Sequence, residues 1–253
     1  MKISLNPQTI YGVSDPAEAF PDMVRRGMPA FEQWSIAPER IRPLREAMDA
    51  TGSHLVAFCT RTFNLTAPAA RDAYLAGLEA AIADAVVLGC PFLITQVGDD
   101  TGEPRELQHQ SILAGLRACV PMLEASGITL LVESLNTVKD HKTHYLSDSR
   151  EMFALVRETG SPNVRALFDI YHQLHMGEPV LERIREGFDL ISHYHVAGLP
   201  VRDERIWEGF DYTPVFRLLD ELGYEGHVGM ELFPAPGKAV AFLDRLQKQE
   251  VTV

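Results

Sequence analysis

TLLVES at 129–134, RALFDI at 165–170, LISHYHV at 190–196 and HVGMELF at 227–233 are four short apolar runs from the second half of the chain. Each run is rich in Leu, Ile, Val or Phe, which is the pattern of a strand buried on both faces of a parallel sheet. Each run also has an acidic or imidazole side chain near its carboxyl end. The four runs therefore predict buried parallel strands whose ends carry polar groups.

Similar runs and helix-length segments extend this pattern to the whole chain. In the first half, the predicted strands are KISLN (2–6), AFEQW (30–34), HLVAF (54–58) and FLITQV (92–97). The predicted helices are 15–27, 36–51, 69–89, 105–125, 147–159, 177–187, 212–223 and 236–249. Eight strands that alternate with eight helices predict a (β/α)8 TIM barrel, in the α/β class, as a single domain over residues 1–253. The alternative is a doubly wound open sheet, which ordinarily has a glycine-rich turn after its first strand; residues 5–12, LNPQTIYG, lack one.

Composition agrees with one such barrel and restricts the partners. The 253 residues match the roughly 250 that this fold typically needs. A formal net charge of −12 disfavours nucleic acid and anionic membranes, so a small-molecule substrate is the predicted partner. Cys59, Cys90 and Cys119 lie far apart and predict no disulfide framework. With no signal-peptide pattern and no membrane-length apolar run, we expect a cytoplasmic protein.

Metal-competent side chains stand at the predicted ends of four successive strands. Glu133, Asp169, His195 and Glu231 come from strands five to eight, and in this fold the functional groups lie at the carboxyl ends of the strands. Since side chains alternate along a strand, Glu133 shares a face with Leu131, which is apolar filler for the barrel interior. The four polar side chains are therefore expected to point into the mouth of the barrel.

Carboxylates gathered at one place need a counter-charge. At about 4 Å, each like-charged pair repels by roughly 4 kcal/mol even at an effective dielectric constant near 20. Each acidic residue alone could instead cap the next helix or pair with an arginine, but four at adjacent strand ends favour a metal site. Oxygen ligands with one imidazole suit Mn²⁺, Mg²⁺ or Co²⁺. We therefore predict one divalent metal ion bound by Glu133, Asp169, His195 and Glu231.

Further candidates lie close to these residues in the sequence. His172 follows Asp169 by three residues, in the predicted loop after strand six, and His193 lies deeper in strand seven, where a structural role is expected. Arg202, in the long loop after strand seven, could clamp a substrate carboxylate or hydroxyls. Alternatively, it could be a solvated partner of Asp203 or Glu204.

Other strand ends and loops offer candidates with less chemical definition. The loop after strand five carries Asn136, Lys142 and His144. Loops of this length on the active face often contact substrate, although a charged surface loop is equally ordinary. Glu32 and Trp34 end strand two, and Gln96 ends strand four. A tryptophan such as Trp34 is more often a core residue than a platform for a sugar ring, so we expect it in the core.

At these residues the chain resembles the xylose-isomerase-like barrel family of sugar isomerases and epimerases, and within it the hydroxypyruvate isomerase branch. The resemblance is densest over residues 129–236, in LLVESLN, KTHYLSD, FDIYHQLHMGEP, ISHYHVAGLPVRDE and DYTPVFRLLDELGYEGHVGMELFP. The family's metal ligands fall on Glu133, Asp169, His195 and Glu231. The resemblance also implies that the two glutamates are the acid/base pair and that His172 and Arg202 contact the substrate.

The activity implied is isomerisation of a small α-hydroxycarbonyl compound, hydroxypyruvate to tartronate semialdehyde, through an enediolate. Two departures from the branch weaken the choice of substrate. The branch tends to carry Gln at the position of His195, whereas ketose epimerases carry His there, as this chain does. The branch also usually has a Gly-Glu-Ile-Asn-Tyr run where this chain has EGFDY at 208–212. Ketose 3-epimerase or another sugar isomerase is therefore the alternative function. An abasic-site endonuclease and a non-catalytic binding barrel are lesser alternatives. Members of the family often associate, so a homo-oligomer is compatible with the resemblance.

Overall fold

All eight predicted strands form, and they close into one parallel barrel. The computed structural model of the chain describes residues 2–248. Each strand pairs with the next along the chain, and the last pairs with the first. The fold is therefore the predicted single-domain TIM barrel. The strands are β1 (Lys2–Leu5), β2 (Ala30–Gln33), β3 (His54–Cys59), β4 (Phe92–Thr95), β5 (Thr129–Glu133), β6 (Val164–Asp169), β7 (Ile191–Val196) and β8 (His227–Met230).

Helices surround the barrel, close to their predicted positions. They are α1 (Pro7–Tyr11), α2 (Phe20–Arg25), α3 (Ile41–Thr51), α4 (Arg71–Leu88), α5 (Arg105–Ser126), α6 (Ser149–Thr159), α7 (Ile170–His175), α8 (Val180–Gly187), α9 (Thr213–Glu221) and α10 (Ala239–Lys248). The short helices α1 and α7 were not predicted, because five or six residues are too few to show a helical periodicity. The last residue of the predicted segment 236–249 lies outside the described residues. In 2–248, no helix is both long and apolar enough to cross a membrane.

The barrel interior is filled by a small apolar cluster of its own. Its buried members are Ala30, Val56, Ala57, Ile94, Leu131 and Leu167. Leu131 and Leu167 lie two residues before Glu133 and Asp169, so the period-two argument is confirmed. A larger cluster between strands and helices forms the remaining core. The interior cluster closes the barrel from below and leaves its carboxyl end for polar side chains.

Candidate metal centre and active site

Four polar side chains converge at the carboxyl end of the barrel, as predicted. Glu133, Asp169, His195 and Glu231 each place one ligand-type atom so that all four atoms lie within 4.8 Å of one another. Glu133, Asp169 and His195 are buried, and Glu231 is nearly so. Strands β5, β6, β7 and β8 are successive neighbours in the barrel, and the four residues lie at their carboxyl ends, so the strand order alone brings the four side chains together.

Asp169 has two roles, one for each carboxylate oxygen. Its Oδ1 accepts a hydrogen bond from the backbone N of His172 at 3.3 Å and so caps helix α7. Its Oδ2 faces the cluster, 3.5 Å from Nε2 of His172. The prediction that His172 lies in a loop is wrong, because this cap starts a helix directly at the strand end. Capping and cluster formation, considered above as alternatives for such a residue, occur together.

Three side chains hold the carboxylate of Glu231. Its backbone N extends the pairing beyond β8 by bonding to the carbonyl of Val196 at 3.1 Å. Oε1 accepts from Nε1 of Trp34 at 2.6 Å, while Oε2 contacts the guanidinium of Arg202 and lies 3.0 Å from Nδ1 of His195. Burial opposes ionisation, but Arg202 and His195 lower the pKa of Glu231 far below its ordinary value. Glu231 is therefore a carboxylate.

Glu133 lies in a less compensated environment. Its Oε2 accepts from Nε2 of Gln96 at 2.6 Å, and this amide carries no charge. Burial, and then the charge of Glu231, raise the pKa of Glu133 to about 8. The same cluster thus holds two glutamates with opposite pKa shifts: the pKa of Glu133 is raised and that of Glu231 is lowered.

The donor set fits a divalent cation. Three carboxylates and one imidazole nitrogen lie within 4.8 Å of one another, and burial together with the charge of Glu231 disfavours ionisation of Glu133. A hard divalent ion supplies positive charge and prefers oxygen ligands with few nitrogens. Glu133, Asp169, His195 and Glu231 are therefore the residues that would hold it.

Arg202 lies beside the cluster and not out in solvent. Its Nη2 is 3.5 Å from Oδ2 of Asp169 and contacts Glu231, and its guanidinium lies 5.2 Å from the centre of the Tyr171 ring. Arg202 has a φ of +59°, which is uncommon for a residue with a side chain. Asp203 pairs with Arg205 instead. The alternative of a solvated Arg202 paired with its sequence neighbours is therefore wrong.

His172 and Asn136 form a linked pair. Nδ1 of His172 accepts from the backbone N of Asn136 at 3.2 Å and lies 2.6 Å from its side-chain nitrogen. With Nδ1 as acceptor, the proton of His172 is on Nε2, which is directed at Asp169. Burial lowers the pKa of His172 to about 4. His172 lines the cavity, whereas Asn136 lies behind it; substrate contact by either stays a prediction.

A cavity of about 840 Å³ opens above the cluster. Glu133, His195, Glu231 and Arg202 lie on its wall, together with Trp34 and other aromatic residues. Trp34 is 39% exposed and packs against Phe233 with ring centroids 5.5 Å apart, so the prediction that it is a core residue is wrong. It lies just past the end of β2, where side chains face the mouth.

Two functional residues received no role from the sequence. Gln96 and Trp34 were recognised only as strand-end residues, yet each donates to a glutamate of the cluster. Their position at the carboxyl ends of β4 and β2 was the available signal. Phe63, which also lines the cavity, lies in a loop and left no periodic signal, whereas Phe233, another cavity residue, falls in the predicted strand 227–233 but lies beyond the end of β8.

Comparison with known proteins agrees with this geometry. The family described as xylose isomerase-like TIM barrel matches residues 20–249. The hydroxypyruvate isomerase of Escherichia coli strain K12 is 29% identical over 168 residues, 66% of this chain and 65% of that protein. The 2-oxo-tetronate isomerase of Cupriavidus necator is 32% identical over 113 residues, 45% of this chain and 43% of that protein. The chain thus spans less than two thirds of either relative.

Among solved structures, an AP endonuclease of family 2 from Brucella melitensis superposes with a TM-score of 0.89. It is 22% identical, and the match covers 98% of both chains. At that identity the likeness establishes the barrel fold.

Proposed function

Since the chain belongs to the xylose isomerase-like TIM barrel family, we propose that it is a metal-dependent isomerase of a small α-hydroxycarbonyl acid. The proposed reaction is the isomerisation of hydroxypyruvate to tartronate semialdehyde, or the same isomerisation of a homologous four-carbon acid. The observation that carries the proposal is the placement of Glu133 and Glu231 on one cluster at the floor of the cavity. The names of the two relatives, both isomerases of short oxo acids, support it.

The bound divalent ion would supply an electrophile that acidifies the proton next to the substrate carbonyl. One glutamate takes that proton from C3 of hydroxypyruvate, which leaves an enediolate across C2 and C3. The other glutamate gives a proton to C2, and the hydroxyl proton of C3 moves to the oxygen of C2. The product is the aldehyde; the first glutamate ends protonated and the second ends as a carboxylate, so one proton must pass back between them before the next turnover. In this proposal Arg202 would bind the substrate carboxylate, and His172 would donate from Nε2 to a substrate oxygen.

A second candidate function has an observation of its own. A three-carbon acid fills only a small part of a cavity of about 840 Å³, and aromatic residues line its outer wall. Ketoses of five or six carbons would use more of this space, through the stacking of C–H groups on Trp34 and Phe233. With a longer ketose, the same two glutamates would exchange a proton on opposite faces of one carbon, which is 3-epimerisation.

One assay separates the two candidates. The protein is stripped of metal, reconstituted with Mn²⁺, Mg²⁺ or Co²⁺ in turn, and incubated in D2O with three- to six-carbon hydroxycarbonyl compounds. NMR then follows deuterium incorporation at the carbon next to the carbonyl. We expect metal-dependent incorporation and tartronate semialdehyde formation from hydroxypyruvate. Faster turnover of free ketoses with inversion at C3 would favour the epimerase. No incorporation from any substrate with any metal would contradict both.

A further inference from the structure

Glu32 is a buried carboxylate beneath the cluster, and the proposed reaction does not use it. Its Oε1 accepts from the hydroxyl of Ser4 and lies 2.9 Å from Nε2 of His193. Its Oε2 lies 2.8 Å from Nε2 of His195. Both carboxylate oxygens of Glu32 are therefore committed to named partners.

Glu32 reaches His195 across two intervening strands. In the sheet register, His195 of β7 pairs with Gly229 of β8, and Gly229 pairs with Ser4 of β1. Both intervening residues are small: the side chain of Gly229 is a hydrogen atom, and that of Ser4 is a hydroxymethyl group. A Cβ on Gly229 would lie 2.5 Å from Oε1 of Glu32 and 2.6 Å from Cδ2 of His195. The absence of a side chain at Gly229 is therefore what makes room for the contact between Glu32 and His195.

The two nitrogens of His195 face different partners. Nε2 faces Glu32, whereas Nδ1 faces the cluster, 3.0 Å from Oε2 of Glu231 and 4.0 Å from Oε1 of Glu133. A histidine that donates from one ring nitrogen to a carboxylate has the lone pair of the other nitrogen free for a metal ion. The contact with Glu32 thus determines which nitrogen can be the ligand.

We infer that Glu32 is a positioning residue: it keeps the proton of His195 on Nε2, so that Nδ1 is presented to the divalent cation. The inference rests on the metal site of the proposed function and adds a residue that is itself no ligand. His193 braces the arrangement from below. Within residues 2–248 its Nδ1 is buried without a hydrogen-bond partner, so its Nε2 is the nitrogen that engages Glu32.

Mn²⁺ affinity tests the inference without reference to catalysis. The free Mn²⁺ ion is measured by electron paramagnetic resonance while metal-stripped protein is titrated. In Glu32→Gln, the amide NH2 can donate to Nε2 of His195 and drive its proton to Nδ1, where the ligand lone pair should be. We expect the Mn²⁺ dissociation constant to rise about 10- to 100-fold, as is typical when such a partner of a ligand is lost. Ser4→Ala is the matched control, since it removes one contact to Glu32 without touching His195; we expect less than a threefold change.

The position of the proton is the second readout. In Mg²⁺-loaded protein with ¹⁵N-labelled histidine, the His195 resonances are assigned by their loss in His195→Gln. We expect a protonated Nε2 in the wild type and a changed or lost Nε2–H signal in Glu32→Gln at saturating Mg²⁺. A residue with a purely structural role would change the melting temperature but not this signal. If Glu32→Gln does not fold, Glu32→Asp, which keeps the charge but shortens its reach, is measured in the same way.

The outcomes separate this inference from the function on which it rests. A wild-type protein that binds no Mn²⁺ overturns the metal site, and with it the inference. If the wild type binds Mn²⁺ while the Glu32 variants bind equally well and keep Nε2 protonated, the role of Glu32 is overturned and the proposed function stands. Weaker binding together with a shifted proton, and an unaffected Ser4→Ala, supports both.

Discussion

The indole Nε1 of Trp34 donates a hydrogen bond to Oε1 of Glu231 over 2.6 Å, which connects the rim of the cavity to the buried cluster. Trp34 is partly exposed and packs against Phe233, so one side chain both bounds the substrate space and orients a glutamate. These two roles are separable by substitution, because phenylalanine keeps the ring and loses the donor.

Trp34→Phe is expected to lower kcat about tenfold and leave KM nearly unchanged. A hydrogen bond to a charged group contributes roughly 1.5–3 kcal/mol. Without the indole N–H, Glu231 is less well oriented, and part of this energy is then missing from the transition state. Trp34→Ala is expected to lower kcat equally and also raise KM, more so for five- and six-carbon ketoses. Steady-state kinetics with both substrate classes checks this. Equal kcat for Trp34→Phe and the wild type would mean that the indole N–H does not orient Glu231.

Glu133→Gln and Glu231→Gln are each expected to abolish deuterium incorporation next to the carbonyl while the protein stays folded. A positioned acid or base contributes about 10²- to 10⁴-fold, so the loss should be at least of that size. Asp99→Asn is the matched control, because Asp99 lines the same cavity but is not one of the four cluster residues. Exchange at the wild-type rate in either glutamine variant would remove that glutamate from the reaction.

The four cluster residues were predictable because their meeting depends only on the order of the strands in the barrel. Parallel strands that follow one another in sequence are neighbours in a barrel, so polar residues at four successive strand ends must meet. Glu133 and Asp169 end their strands, His195 is the last residue but one of its strand, and Glu231 follows its strand by one residue. No side-chain rotamer had to be known for this conclusion.

What the sequence left open depends on contacts across the barrel. The Glu32–His195 contact joins residues 163 positions apart and depends on a glycine and a serine in the strands between them. Trp34 was expected in the core, where a tryptophan is found more often than on a sugar platform, yet it lies one residue beyond β2 and faces the mouth. Such contacts have no sequence period, so periodicity could not reveal them.

Arg202→Lys is expected to raise KM for hydroxypyruvate at least tenfold and to affect a neutral ketose far less. A guanidinium binds a carboxylate through two parallel hydrogen bonds, which an ammonium group cannot reproduce. Arg205→Lys, in the same loop but exposed and paired with Asp203, is the control and should leave KM unchanged. A similar rise in KM for acids and neutral ketoses would show that Arg202 does not select for the carboxylate.

Acid should destabilise the protein through His144. Burial lowers the pKa of His144 to about 4, against an ordinary 6.5. Above pH 6.5 this histidine is neutral in both folded and unfolded chains; between pH 6.5 and 4 only the unfolded chain takes up the proton. The free energy of unfolding should therefore fall with falling pH in this window, by at most about 3 kcal/mol from His144.

Urea unfolding of the wild type and His144→Gln at pH 7.5 and pH 4.5 measures this contribution. We expect the variant to lose less stability than the wild type between the two pH values. The other histidines titrate in both proteins and cancel in the comparison. Parallel losses would mean that burial does not perturb His144.

The central claim is that Glu133, Asp169, His195 and Glu231 converge on a single divalent cation. Anomalous diffraction at the manganese edge, from crystals grown with Mn²⁺, tests it most directly. The account predicts one strong anomalous peak per chain at the barrel mouth, about 2 Å from a ligand atom of each of the four residues. A well-ordered barrel with no anomalous peak between these side chains, or with a peak bound elsewhere, would contradict it.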